Sequence, residues 1–398
     1  MYQKENNFDV TENAYDSIRK HLKFVFKNIP HKAFFLGWDG FIDTIYTLVQ
    51  SRSSIEKWDK MDSMEDFGNL ILKVAGSSAG IECVPKKKTI GGFTSNVSNP
   101  LSNLGANITL ISSWGYPKID ALFWELSNKP NVHCFSFNNP ASTSCYEFID
   151  GKIMITNFKN IHKIDWKLMK SRIGLEPILK SIERSDALGL AYWSSILNFN
   201  ELMFKLVEEI FPSIKNLNNK ILFFDLADIK RRKNKDIKSF LELLKDWNEL
   251  VPIVLSLNDQ ETIDVSKAIG LKENIDHNKK NYNELHKIGK NINEKLRISN
   301  LIVHTPHFAT ITTRDDHFWV AQAFTSHPSY TTGGGDYFNA GLMAGLVCEL
   351  TPAESLIIGN ALTAFFVRSG LSPNLEKLRI FLFNYRKYLD KDIPSILD

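Results

Sequence analysis

Tyr330-Thr331-Thr332-Gly333-Gly334-Gly335-Asp336-Tyr337-Phe338-Asn339-Ala340-Gly341-Leu342 places three consecutive glycines ahead of an acid, with an apolar run of small residues behind it. Glycine reaches backbone angles closed to other residues. The segment 338–350 reads as a buried helix whose close-packing positions are Ala340, Gly341, Ala344 and Gly345. A glycine run opening such a helix turns several N–H groups towards one point, where the helix dipole adds partial positive charge. Gly333, Gly334 and Gly335 are therefore expected to form an anion hole, with Asp336 at its rim to take a proton from a hydroxyl attacking a phosphate. The same four residues also suit a plain glycine turn with Asp336 as N-cap, so the rest of the chain decides between the two.

Outward from this stretch, short apolar runs alternate with amphipathic ones. Residues 187–193, 220–225, 251–257 and 301–304 read as buried strands, and 201–210 and 237–247 as helices, the alternation of a doubly wound sheet. The run 251–257 delivers Asn258-Asp259-Gln260-Glu261. Residues 309–313 and 318–321 are expected as further strands, 272–295 as an exposed charged helix with loops, and 352–368 as a last long helix. Nearer the N-terminus, the strand 33–37 leads into Asp39 and Asp43, at a strand's end, where open α/β sheets bind ligands. Gly91-Gly92 marks a tight turn into a helix that contains Asn96 and ends near Gly105, before a strand at 107–113.

Asp150-Gly151 between two β-prone runs is a strong hairpin signal. This small antiparallel piece, 143–157, is expected to join 44–88, where 64–74 has helical character, as a lid. Residues 11–28 read as an amphipathic helix with Ile18, Leu22, Phe24 and Phe26 on its apolar face. The expected organisation is a helical extension over 1–32 and one α/β domain over 33–398.

With 398 residues, 43% of them hydrophobic, the chain can bury a large core, and a net charge of +3 implies no nucleic-acid or membrane field. The runs Lys86-Lys87-Lys88 and Lys230-Arg231-Arg232-Lys233 read as solvated surface. Four scattered cysteines show neither a zinc pattern nor a disulfide framework. The polar start and the lack of any run near the ~20 apolar residues that span a bilayer lead to the expectation of a cytoplasmic protein.

Three motifs now stand in order: Gly91-Gly92-x-x-x-Asn96, Asn258-x-x-Glu261 and Thr332-Gly333-Gly334-Gly335-Asp336. With Asp43 upstream and the Asp150-Gly151 hairpin between, the chain over roughly 33–370 resembles the ribokinase (PfkB) carbohydrate kinases. The resemblance implies a three-layer α/β/α sandwich with a mostly parallel sheet and a β lid. It implies Asp336 as catalytic base, and Gly333, Gly334 and Gly335 as the cradle of the transferring phosphoryl group. Asn258 and Glu261 would organise Mg²⁺ near the phosphates, and Thr332, His304 and Asn360 would lie at the nucleotide. Asp39, Asp43, Gly91, Gly92 and Asn96 would hold the acceptor. ATP is the implied donor, transferring its γ-phosphoryl group to a hydroxyl of a sugar-like substrate.

The chain also departs from the family pattern. Tyr330 stands where the family often has an acid beside a monovalent cation, which leaves that cation open. His304-Thr305-Pro306-His307-Phe308 lacks the glycine usual in the nucleotide loop. No Walker-type Gly-x-x-x-x-Gly-Lys-Ser/Thr is present. A nucleoside kinase of the same family is the second reading, with Trp38, Phe41 and Phe93 as candidates to stack on a base. A ligand-binding relative without catalysis is the third. A homodimer formed through the lid is a further expectation.

Overall fold

The computed structural model describes residues 8–271 and 282–396. Its strands in chain order are β1 (Ala33–Gly37), β2 (Phe41–Arg52), β3 (Trp58–Lys60), β4 (Cys83–Gly91), β5 (Asn107–Ser112), β6 (Val132–Ser136), β7 (Ala141–Phe148), β8 (Gly151–Asn157), β9 (Ala187–Ala191), β10 (Ile221–Asp225), β11 (Ile253–Asn258), β12 (Asn300–His304), β13 (Phe308–Thr312) and β14 (His317–Ala321). Nine of them form one sheet in the order β14-β13-β12-β11-β10-β9-β1-β5-β6. From β12 to β6 every pairing is parallel, and β13 and β14 close one side antiparallel.

The inner strands are continuous apolar runs because helices cover both faces of the sheet. Side chains alternate between the faces. Phe34, Leu36, Phe223 and Val254 enter one apolar core, and Phe35, Leu222, Phe224 and Leu255 enter the other. This is the expected α/β/α sandwich. Parallel strands also bring their C-terminal ends to one edge. The residues at or just beyond those ends are Asp39, Tyr192, Asp225, Asn258 and His304, and the chemistry gathers there.

A second sheet runs β3-β2-β7-β8, with β4 paired to β2. Asp43 of β2 lies opposite Thr89 of β4 and Thr143 of β7. The stretch 64–74 forms the helix Met64–Lys73 as expected. Strand β4 had no clear signal in the sequence; its lysines are exposed on a solvated strand, so no apolar alternation marks it.

The helix Phe8–Asn28 packs on the helices Pro352–Ser369 and Leu375–Asp390 and on β14. Ile18, Leu22 and Val25 are buried, whereas Phe24 is 57% exposed, so the apolar face runs through Val25 instead. Thr11 Oγ1 accepts the Ala321 N–H at 3.0 Å, covering an otherwise open sheet edge. Two other expectations need correction. The stretch 272–281 lies outside the described residues, and the helix Tyr282–Leu296 that follows is not merely exposed, since Leu285, Ile288 and Ile292 are buried. Arg232, expected on the surface, donates from Nη2 to the Trp193 and Ile196 carbonyls at 3.0 and 2.7 Å. Among the described residues no helix is long and apolar enough to cross a membrane.

Candidate active site

One side of the candidate site is built where β1 hands over to β2. Asp39 is wholly buried. Its Oδ1 accepts the Thr94 N–H at 3.1 Å, and its carbonyl accepts the Thr94 hydroxyl at 2.9 Å. The second oxygen of Asp39 and Oδ1 of Asp43 have no protein partner, so two carboxylate oxygens stand ready to accept hydroxyl hydrogens. The glycine pair makes room for them. A Cβ at Gly91 would sit 2.3 Å from Asp43 Oδ2, and one at Gly92 would sit 2.1 Å from Asp39 Oδ2. Gly92 also carries φ +90° as N-cap of the helix Phe93–Asn103, a backbone glycine adopts freely. Burial pushes Asp39 up to about 7, outweighing its hydrogen bonds to Thr94, and burial raises Asp43 as well.

Facing them is the glycine run. The helix Gly334–Val347 starts four residues before the expected 338, with Gly333 as N-cap at φ +89°. Free N–H groups of this first turn point along the helix axis. The Thr363 hydroxyl donates to the Gly334 carbonyl at 2.9 Å and fixes the turn. Asn96 Nδ2 donates to Asp336 Oδ2 at 2.7 Å. That bond joins sequence positions 240 residues apart and sets the two halves of the site against each other. Burial, then Asp225, then Asp39 raise Asp336 to about 8, with the Asn96 bond opposing them.

Behind Asp336 lies a carboxylate the sequence reading noted only as the end of a strand. Asp225 accepts from Ala227 N at 3.0 Å and from Asn339 Nδ2 at 2.8 Å, and Asn339 Oδ1 accepts the Ser256 hydroxyl at 2.7 Å. Burial raises Asp225. Burial and the Asp225 charge raise Glu261 well above the usual carboxylate range. Asn258 and Glu261 form a reciprocal cap, Glu261 N–H to Asn258 Oδ1 and Asn258 N–H to Glu261 Oε2, each at 2.9 Å. One oxygen of each side chain is thus used in capping the helix Asp259–Ala268. Among the described residues no group of three or more His, Cys, Asp or Glu is arranged to hold a metal.

A match to a family model for prokaryotic ketohexokinase extends over residues 8–385. The chain belongs to the prokaryotic ketohexokinase family. It is a PfkB-type carbohydrate kinase, transferring a phosphoryl group from ATP to a sugar hydroxyl. A curated ketohexokinase from Haloferax volcanii is 26% identical over 384 residues, covering 96% of this chain and 98% of that protein. In fold it is similar to a ribokinase from Cryptococcus neoformans solved with ADP, with a TM-score of 0.59 at 13% identity over 87% of this chain and 98% of the other. It is also similar to a nucleoside kinase from Methanocaldococcus jannaschii, with a TM-score of 0.55 at 16% identity over 89% and 98%.

On the far side of the glycine run, this ketohexokinase-family chain holds a cavity of about 560 Å³. Its lining includes Asn258, His304, Gln322, Thr325, Gly335 and Thr363. Burial holds His304 down at about 4, so it is neutral, and its ring stacks on Phe338 at 5.0 Å. A Cβ on Gly335 would lie 3.1 Å from the His304 ring, so the missing glycine of the loop is answered by a glycine in the cradle.

Several expectations fall differently. Asn360 does not line this cavity. It is wholly buried and donates to the Ala321 carbonyl at 3.1 Å; Thr363 and Ala364, one turn on, and Val367, two turns on, do the lining. Thr332 is exposed and lies outside the cavity, whereas Thr331 lines it. Trp38 and Phe93 are fully buried in the core and cannot stack on a base, and Phe41 leans on Tyr192. At Tyr330 the ring fills the space beside Gly370, where a Cβ would lie 2.3 Å from it.

The sequence reading missed Lys152. It reaches from β8 to donate to the Thr332 hydroxyl, and its charge acts on Asp43. No local pattern distinguishes it from a surface lysine.

The raised acids make a stability prediction. Asp39 and Asp336 keep their protons folded at pH values where the unfolded chain has lost them. The folded state therefore binds more protons between about pH 4 and 8, and stability falls as pH rises through that window. Without divalent cations, the melting temperature is expected to drop from about pH 5 to about pH 8, with a shallower slope in Asp336→Asn. A flat profile in the parent protein would show that neither acid is perturbed.

Proposed function

We propose that the acceptor is a ketohexose and that ATP·Mg²⁺ is the donor, with the sugar between Asp39 and Asp43 on one side and Asp336 on the other. The observation carrying this reading is the Asn96–Asp336 hydrogen bond at 2.7 Å, because it seats the base against the helix that also frames the acceptor acids. The ketohexose itself rests on the family and on the Haloferax volcanii ketohexokinase.

In this mechanism Asp39 and Asp43 accept hydrogen bonds from sugar hydroxyls and hold one of them in line with the phosphorus. Asp336 takes its proton on Oδ1, since Oδ2 holds Asn96. The oxygen bonds to the terminal phosphorus, the bond to the bridging oxygen breaks, and ADP leaves. The Gly334 N–H donates to the Thr331 carbonyl at 3.3 Å, so the N–H groups of Gly335 and Asp336 receive the charge on the transferring phosphoryl oxygens, and such fixed donors are commonly the largest catalytic term. A base near 8 suits a hydroxyl at neutral pH better than an ordinary carboxylate would.

Burial raises both Asp225 and Glu261, and the Asp225 charge raises Glu261 further; carboxylate oxygens are the ligands Mg²⁺ prefers, usually through retained waters. These two would hold it, and it would offset phosphate charge when bound. The small sheet acts as a lid over the acceptor, and Lys152 is its cation at the cradle. Exposed Ile149, Met154 and Ile155 on that sheet suit pairing with the lid of a second copy.

A panel of ketohexoses, aldohexoses, pentoses and nucleosides tests the reading. Turnover is expected to be highest with a ketohexose, and turnover of nucleosides alone would overturn it. Lys152→Ala is expected to lower kcat by roughly 10- to 100-fold, the size of a charge-assisted hydrogen bond, with Lys152→Arg largely retaining activity. Equal rates in all three proteins would remove Lys152 from the reaction.

A further inference from the structure

Tyr192 follows β9 at φ +63°. A bulky side chain in the left-handed region is a true outlier, and such residues persist only where the surroundings hold them. Here the holding groups are plain. The Tyr192 N–H donates to the Asp225 carbonyl at 3.1 Å, and its own carbonyl accepts from Ser195 and Ile196, each at 2.9 Å. Arg232 then ties down the same loop through the Trp193 and Ile196 carbonyls. The ring leans on Phe41 with centroids 4.7 Å apart, and the phenol lies in the field of Asp39, Asp336, Asp43 and Asp225. Its hydroxyl makes no hydrogen bond to any described residue.

Carboxylates accept hydrogen bonds and cannot donate them once ionised. In the reacting state, with these acids ionised, Asp39, Asp43 and Asp336 read the O–H groups of an acceptor. A sugar also has an oxygen with no hydrogen, in its ring or its carbonyl, and that atom needs a donor. The Asn96 amide commits one N–H to Asp336, and the Lys152 ammonium one of its three to Thr332. The Tyr192 hydroxyl is uncommitted, and burial among carboxylates keeps it protonated.

Resting on the sugar-kinase reading, we propose that Tyr192 is a specificity residue whose O–H donates to the hydrogen-free oxygen of the acceptor. The site thereby selects a sugar over the polyol made by reducing it.

The test uses the full chain with ATP and Mg²⁺, the sugar turned over best, and the matching alditol scored as substrate or competitive inhibitor. Tyr192→Phe keeps the ring and removes only the hydroxyl. The variant is expected to lose about 3- to 10-fold in kcat/KM for the sugar, the size of one hydrogen bond. Alditol affinity, the KM for ATP and the melting temperature should stay unchanged. Equal loss for sugar and alditol, or no loss for either, would overturn the proposal while leaving the kinase reading intact. A parent protein inert towards every sugar would sink the kinase reading, and the proposal with it. Tyr192→Gly should melt above Tyr192→Ala, since both lose the ring and only glycine relieves the left-handed backbone. The reverse order would deny the strain.

Discussion

Asp336→Asn is expected to lower kcat by at least ~10²-fold, within the range for loss of a positioned general base. The substitution is nearly isosteric. The amide oxygen can still accept from Asn96 Nδ2, so the contact between the two halves of the site survives, and the glycine cradle is untouched. What disappears is the atom that takes the hydroxyl proton. Sugar and nucleotide KM values should therefore move little. The pH profile should change as well. With Asp336 near 8 before metal and nucleotide bind, kcat/KM for the sugar at low ATP should climb with pH towards that value, since a protonated carboxyl cannot act as base. In Asp336→Asn the climb should vanish along with most of the activity. Steady-state rates across pH check both parts, and a variant with parental kcat would remove the base.

Gly92→Ala is expected to be almost as damaging for a different reason. Its new methyl would lie 2.1 Å from Asp39 Oδ2 and 2.7 Å from the Phe41 ring, at a backbone angle of φ +90°. Either the Asp39 carboxylate moves or the helix Phe93–Asn103 does, and both carry sugar contacts in the proposed mechanism. A misplacement of about 1 Å costs on the order of 10²-fold in rate, so kcat/KM should fall by that scale, mainly through the sugar. The melting temperature should fall too, because alanine is strained at positive φ. Gly68→Ala is the matching control. Gly68 lies inside the helix Met64–Lys73 with nothing within 4 Å of a new Cβ, so activity should be unchanged and stability equal or up by ~0.5–1 kcal/mol. Similar losses in both variants would separate the damage from Asp39.

What the sequence made legible were features with a local physical cause. Gly333 caps its helix at φ +89°, a backbone glycine adopts freely, and Gly91-Gly92 stands where two carboxylates leave no room for a Cβ. The Asp150-Gly151 hairpin and the continuous apolar strands of the large sheet were equally visible. Asn258-x-x-Glu261 was visible as a motif, yet the structure shows it also serving as a capping box, an ordinary role that spacing alone cannot separate from metal binding. Features set by distant contacts stayed hidden. Lys152 meets Thr332 across 180 positions, and nothing near Lys152 announces it. Tyr192 is marked by a backbone angle, which no side-chain pattern encodes. Asn360 shares a helix with Thr363 and Val367, and only the rotation of that helix turns it away from the cavity.

The most direct measurement combines the full chain, D-fructose, ATP and Mg²⁺, and follows ³¹P NMR as ADP accumulates. The expected result is one hexose monophosphate formed in step with ADP by the parent protein, and almost none by Asp336→Asn. ADP without any sugar phosphate, or the same product formed equally fast by Asp336→Asn, would contradict a carboxylate at 336 that activates a sugar hydroxyl held by Asp39 and Asp43.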